Sequence, residues 1–109
     1  LKITLFKDKY NFKEFSFNNK FINNMYESID NDSLYTYHII LDQDDENKIE
    51  LNNIYTYILE NGNNFSNIYI LKGTKKIEMN EQELNSYSIR VNFDNEYNKF
   101  NIIIRYKRS

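Results

Sequence analysis

The 109-residue sequence has no cysteine, no proline and no tryptophan, and it holds only two glycines and one histidine. Each absence removes a class of chemistry. Without cysteine there is no disulfide, no thiolate metal site and no cysteine nucleophile. Small secreted domains commonly depend on disulfides, so the expected location is intracellular, in the cytoplasm. Gly62 and Gly73 stand too far apart to form the glycine-rich loops that cradle phosphates or dinucleotides. The same scarcity pushes asparagine into left-handed turn positions, which it tolerates better than most residues. No apolar run approaches the roughly 20 residues that span a membrane. No signal-peptide pattern is visible at the start, and no membrane partner is expected.

What is present suits one core. Aromatic residues make up 17%, with ten Tyr and eight Phe, and hydrophobic residues 40%. A chain of this length builds a single domain, 1–109. Asparagine is about one residue in six. With Ile, Lys and Tyr it gives the amino-acid bias of an AT-rich genome, as in low-GC bacteria, their phages, poxviruses or malaria parasites. That bias marks a source and no mechanism. The net charge of −2 conceals a division. Residues 1–29 carry five Lys and three acids, residues 30–60 eight acids and one Lys, and residues 61–109 eight bases and five acids.

The clearest local pattern is a hairpin over Ser86–Lys107. Tyr87, Ile89, Val91 and Phe93 alternate with polar residues. After a turn at Asn95–Asn98 the alternation resumes at Phe100, Ile102, Ile104 and Tyr106. Lys2–Lys7 and Phe12–Phe17 read as a second hairpin, Leu34–Leu41 as a central strand, and Ser66–Leu71 and Lys75–Met79 as two more strands. Two stretches follow a helical period. Phe21, Ile22, Met25, Tyr26 and Ile29 recur at three and four residues over Asn19–Ile29. Leu51, Ile54, Tyr55, Ile58 and Leu59 do the same over Glu46–Asn61. Asp44 or Asp45 suits the start of the second helix, and Gly62 its end. Asn80–Leu84 reads as a polar turn. The predicted fold is α+β, in the order ββαβα followed by four strands. Two amphipathic helices pack on one face of a mostly antiparallel sheet.

Few constellations point to chemistry. His38 has the residue type of a general base, with Ser33 or Ser66 as candidate nucleophile, but no elbow or triad pattern surrounds them. Asp42, Asp44 and Glu46 have the alternate-acid spacing of a calcium loop, yet Asn47 stands where that loop needs glycine and Asn53 where it needs Glu. Glu46-Asn47-Lys48 matches a three-residue fragment of metal-dependent nucleases, in a loop instead of on a strand. No cofactor is expected. Lys99, Arg105, Lys107 and Arg108, beside Tyr97 and Tyr106, form a basic aromatic end of the kind that binds single-stranded nucleic acid. The acidic balance argues against direct nucleic-acid binding and for a protected sheet edge.

Lys2-Ile3-Thr4-Leu5-Phe6, Asn11-Phe12 and Asn31-Asp32-Ser33-Leu34 together resemble a Greek-key unit of the βγ-crystallins. Phe65–Gly73 and Asn85–Val91 echo it. The resemblance implies two such units in a β-sandwich and calcium at the Asn31-Asp32 pair with Ser33. It departs from the family where Lys13 or Glu14, and Asn67, replace a glycine, and where Tyr35-Thr36 replaces a serine pair.

These features favour an interaction module over an enzyme. The expected function is a small inhibitor or an immunity or anti-defence protein. It would bind a basic or nucleic-acid-binding protein target through Asp42, Asp44, Asp45, Glu46 and Glu50, with Asp30 and Asp32 on the same edge. The alternatives are a βγ-crystallin-like calcium-binding domain and a single-stranded nucleic-acid-binding module.

Overall fold

Alternation along the chain translates into strands, and strand pairing settles the architecture. The structure is a computed structural model and describes residues 1–31, 34–63, 65–80, 88–94 and 98–107. Its elements are β1 (Lys2–Phe6), β2 (Phe12–Ser16), β3 (Ile22–Asn31), β4 (Leu34–Asp42), α1 (Asp45–Asn61), β5 (Asn67–Lys72), β6 (Lys75–Asn80), β7 (Ser88–Asp94) and β8 (Lys99–Lys107). The first sheet has the order β2-β1-β5-β6 and the second β3-β4-β8-β7, every pair antiparallel.

The α+β class follows the prediction, but the element order and layering differ in two respects. Among the described residues two four-stranded sheets replace one, and one α-helix replaces two. The predicted helix over Asn19–Ile29 is a short 3-10 turn, Asn19–Phe21, leading into β3. Asn18 caps that turn by accepting from the Lys20 amide at 3.1 Å. The misreading has a physical cause. Met25 and Ile29 lie four residues apart, a spacing that repeats on one face of both a helix and a strand. Pairing then decides: Met25 meets Ile39, Tyr26 meets His38 and Glu27 meets Tyr37 along β4. Cross-strand packing of this kind outweighs local propensity. Ser86, Tyr87 and residues 81–84 of the predicted polar turn lie outside the described residues.

Both sheets and the helix share one core. Ile3 and Leu5 of β1, Phe15 of β2, Ile68 and Ile70 of β5, and Met79 of β6 are buried from the first sheet. Tyr37, Ile39 and Leu41 of β4, Ile89 of β7, and Phe100, Ile102, Ile104 and Tyr106 of β8 are buried from the second. Leu51 and Ile54 complete it from α1, which packs beside edge strands β2 and β7. The helix therefore covers one edge of each sheet, where unpaired backbone groups would otherwise invite another chain.

The two halves of the chain repeat one another in space. Adding 65 to every number of β4 gives β8, and adding 65 to Lys2–Phe6 falls within β5. In the first sheet β1 and β5 are the central antiparallel pair; in the second, β4 and β8 are. Each half thus contributes one hairpin to each sheet, about an approximate two-fold axis, with α1 as the link. Inward positions correspond: Ile3 with Ile68, Leu5 with Ile70, Ile39 with Ile104, Leu41 with Tyr106. The sequence hides the repeat because two of these four pairs share only burial, and the polar residues between them differ.

α1 begins where Asp44 accepts from the Glu46 amide at 3.0 Å and ends at Gly62, whose φ of +71° favours glycine. Its predicted apolar stripe is partly corrected. Leu51 and Ile54 are fully buried, but Tyr55 is 52% and Leu59 66% exposed. Asn47, 1% exposed, takes a place on the inner face and donates to the Asp42 carbonyl at 3.3 Å. That bond ties the first turn of the helix to the end of β4.

Candidate functional site

The acids predicted as a binding surface divide into two groups. Asp42 accepts from Lys99 at 3.1 Å and from Asn23 at 3.3 Å. Asp44 is committed to the helix cap. Glu50 accepts from the Ser16 amide and from the Asn53 side chain, both at 2.8 Å, and so fastens α1 to the end of β2. These three carboxylates hold elements together. Asp45 and Glu46 are exposed on the first turn, and Glu60 is exposed on the last. None of the three has a partner among the described residues.

Asp30 and Asp32 do not join this group. Asp30 is a β3 residue at the Asn31–Leu34 end of the β3–β4 pair, whereas Asp42 ends β4 at the opposite end. Eight residues of strand separate them, roughly 26 Å. Asp32 lies outside the described residues.

Beside the acids runs a groove of about 440 Å³, lined by Ser16, Phe17, Asn18, Glu46, Asn47, Ile49 and Glu50. Its walls are the end of β2 and the first turns of α1. Ile49, 64% exposed, stands at its rim. The outward face of α1 therefore presents three large apolar side chains, Ile49, Tyr55 and Leu59, interspersed with Asp45, Glu46 and Glu60. Over the whole helix four acids stand against one base, Lys48. Exposed apolar groups gathered on one face, with a single sign of charge around them, are the features of an association surface.

His38 stacks on Tyr26, with ring centroids 4.5 Å apart and an interplanar angle of 11°. Its Nε2 lies 3.1 Å from the Ser28 hydroxyl. Ser66 immediately precedes β5, and its hydroxyl donates to the Phe6 carbonyl. Ser33 is outside the described residues. The Ser28–His38 contact has a nucleophile–base distance. No carboxylate orients the other ring nitrogen among the described residues, and the pair is part-buried. Of the acids at calcium-loop spacing, Asp42 and Asp44 turn to Lys99 and to the helix amides. Among the described residues no three His, Asp or Glu side chains converge on a metal position. The crystallin-like calcium pair includes Asp32 and Ser33, outside the described residues. In the basic C-terminal end, Lys99 is paired with Asp42, and Tyr106 is buried and donates to Glu27. Arg105 is exposed on the outward face of the second sheet.

Tyr37 and Tyr57 have raised pKa values. Burial keeps the Tyr37 phenol protonated, and the nearby negative charge of Glu27 adds to this. Tyr57 is raised by burial first and by Asp8 second. Its ring lies between Phe15 and Phe65, at centroid distances of 5.8 and 5.9 Å. Both phenols serve the core. No described helix is long and apolar enough to cross a membrane. The chain matches no protein family, no curated protein and no solved structure.

Proposed function

We propose that the chain is a non-enzymatic protein-binding module of the inhibitor or immunity type, acting inside the cell. Its binding surface is the outward face of α1 with the acids of its first turn. One observation carries this reading: Ile49, Tyr55 and Leu59 are each more than half exposed on a helix that also displays Asp45, Glu46 and Glu60. Unpaired carboxylates steer a basic partner and raise its association rate, while apolar groups set how long it stays. The partner is accordingly a protein with a basic, partly apolar face, such as the nucleic-acid channel of an enzyme.

The test compares immobilised wild type with an Asp45→Lys/Glu46→Lys/Glu60→Lys variant in lysate of the source cells at increasing salt. The reading expects a basic protein retained by wild type, released as salt rises, and lost from a variant with unchanged circular dichroism. Ile49→Ala/Leu59→Ala should leave association fast and speed dissociation. A partner retained equally by wild type and the triple variant refutes this surface.

A further inference from the structure

The outward face of the second sheet is built differently from the acidic helix. Across β3, β4, β8 and β7 one row reads Tyr26, His38, Ile103, Arg90. The next reads Ser28, Thr36, Arg105, Ser88. Arg90 and Arg105 are thus diagonal neighbours on adjacent strands, about 7–8 Å apart at the backbone and within reach of each other's long side chains. They share a concavity of about 190 Å³ with Ile103 and Asn63. Asn63 is held in place because its Oδ1 accepts from the Ile89 amide at 2.8 Å. Both arginines are exposed, and neither has a partner among the described residues. Placing two guanidiniums together without a carboxylate costs repulsion, which an anion would relieve. The described side chains facing outward from the Asn24 row to the Ser28 row include no acid.

On the same row His38 lies two strands from Arg90, roughly 10 Å at the sheet spacing, and Tyr26, stacked on it, one strand farther, roughly 14 Å. Tyr26 is 43% exposed, and the Ser28 hydroxyl holds the imidazole. An aromatic platform and a guanidinium pair on one sheet face are the two parts that hold a base and its phosphate.

We propose that this face binds the phosphate ester of a nucleoside, with the oxyanion on Arg90 and Arg105 and the base against Tyr26 and His38. The ester comes either as a free nucleotide or as a single strand. It engages a surface distinct from the acidic helix, so the two readings stand or fall separately.

The experiment titrates the full chain with inorganic phosphate, thymidine monophosphate and a short oligothymidylate. Binding is followed by NMR shifts of the arginine side chains and by fluorescence anisotropy of the labelled strand. The expected result is nucleotide binding that weakens with salt, falls at least tenfold in Arg90→Gln/Arg105→Gln, and falls roughly tenfold in Tyr26→Ala through lost stacking. A strand bound more tightly than the monophosphate assigns the single strand as the source; equal affinity assigns the free nucleotide. Arg90→Lys/Arg105→Lys keeps the charge and loses the planar fork, so it should bind more weakly than wild type. The inference is overturned if none of the three ligands binds, if the Gln pair binds as wild type does, or if the Lys pair is indistinguishable from wild type. These exposed substitutions leave the core intact, so the variants remain folded for the comparison.

Discussion

Ile54→Ala and Leu59→Ala, compared side by side, test how α1 is seated. Ile54 is fully buried among the core residues, and Leu59 is 66% exposed. Cutting Ile54 back to alanine removes three carbons from the core, about 2.4 kcal/mol at ~0.8 kcal/mol per methylene. A residual cavity of about 50 Å³ would add roughly 1 kcal/mol more at ~24 cal/mol per Å³. The expected loss is therefore about 3 kcal/mol, or on the order of 15 °C in Tm for a domain of this size. Leu59→Ala removes a side chain already in water and exchanges leucine for the better helix former. Its cost should stay within about 0.5 kcal/mol. Urea unfolding followed by circular dichroism at 222 nm measures both, and equal m-values would show that only stability has changed. The residues are about 140° apart around the helix axis. Equal losses would refute the observed helix face, and with it the exposed apolar surface on which the binding proposal rests.

Asp44→Ala should cost about 1 kcal/mol through the lost cap, and Asp44→Asn should restore most of it; thermal melts distinguish the two. Tyr37→Phe should reduce the alkaline loss of stability. The folded phenol has a raised pKa, so its contribution is intact below the unfolded value near 10 and is lost as pH rises through the folded value; melts across the alkaline range measure this. Asp8 has the opposite sign. Its carboxylate accepts from the Asn11 side chain and from the Tyr10 and Asn11 amides, which hold its pKa below the usual range. The turn it forms should be intact above the ordinary carboxylate pKa and weaken as pH falls through the lowered value. Protection of the Tyr10 and Asn11 amides, measured as hydrogen exchange relative to the intrinsic rate at each pH, should then fall, and Asp8→Ala should show that lower protection already at neutral pH.

Where one physical signal dominated, the sequence was readable. The β7–β8 pair keeps a strict two-residue alternation, and its register joins Ile89 to Ile104 and Val91 to Ile102. α1 has a cap, a helical period and a terminal glycine that agree. β3 failed because Met25 and Ile29, four residues apart, fit both periods, and its true determinant, pairing with β4, is not local. Two sheets instead of one could not be read either. That division depends on which hairpins meet, and the meeting pairs, β1 with β5 and β4 with β8, are about 65 positions apart. Hairpin order along the chain is the same for one sheet as for two.

The site was less legible, and the reason lies in what a charge does once the chain folds. Seven acids were singled out by their density in sequence. Folding takes Asp42 into an ion pair with a lysine 57 positions away, Asp44 into a cap and Glu50 into a bond with β2. Density alone cannot distinguish such an acid from Asp45 or Glu46, which have no partner among the described residues. Glu60, just as exposed, was missed because it stands alone in sequence. Arg90 was missed for the complementary reason: only the register that sets Ser88 against Arg105 brings the two arginines together. Tyr26 was assigned to a buried helix face, and as a strand residue it reaches the surface beside His38. The formal charge of −2 is therefore a small difference between surfaces of opposite sign. Potential falls off over about 8–10 Å at physiological salt, so a ligand meets the face in front of it and not the net charge. The acidic total that argued against a phosphate ligand bears on solubility, and it leaves the arginine face free to bind an anion.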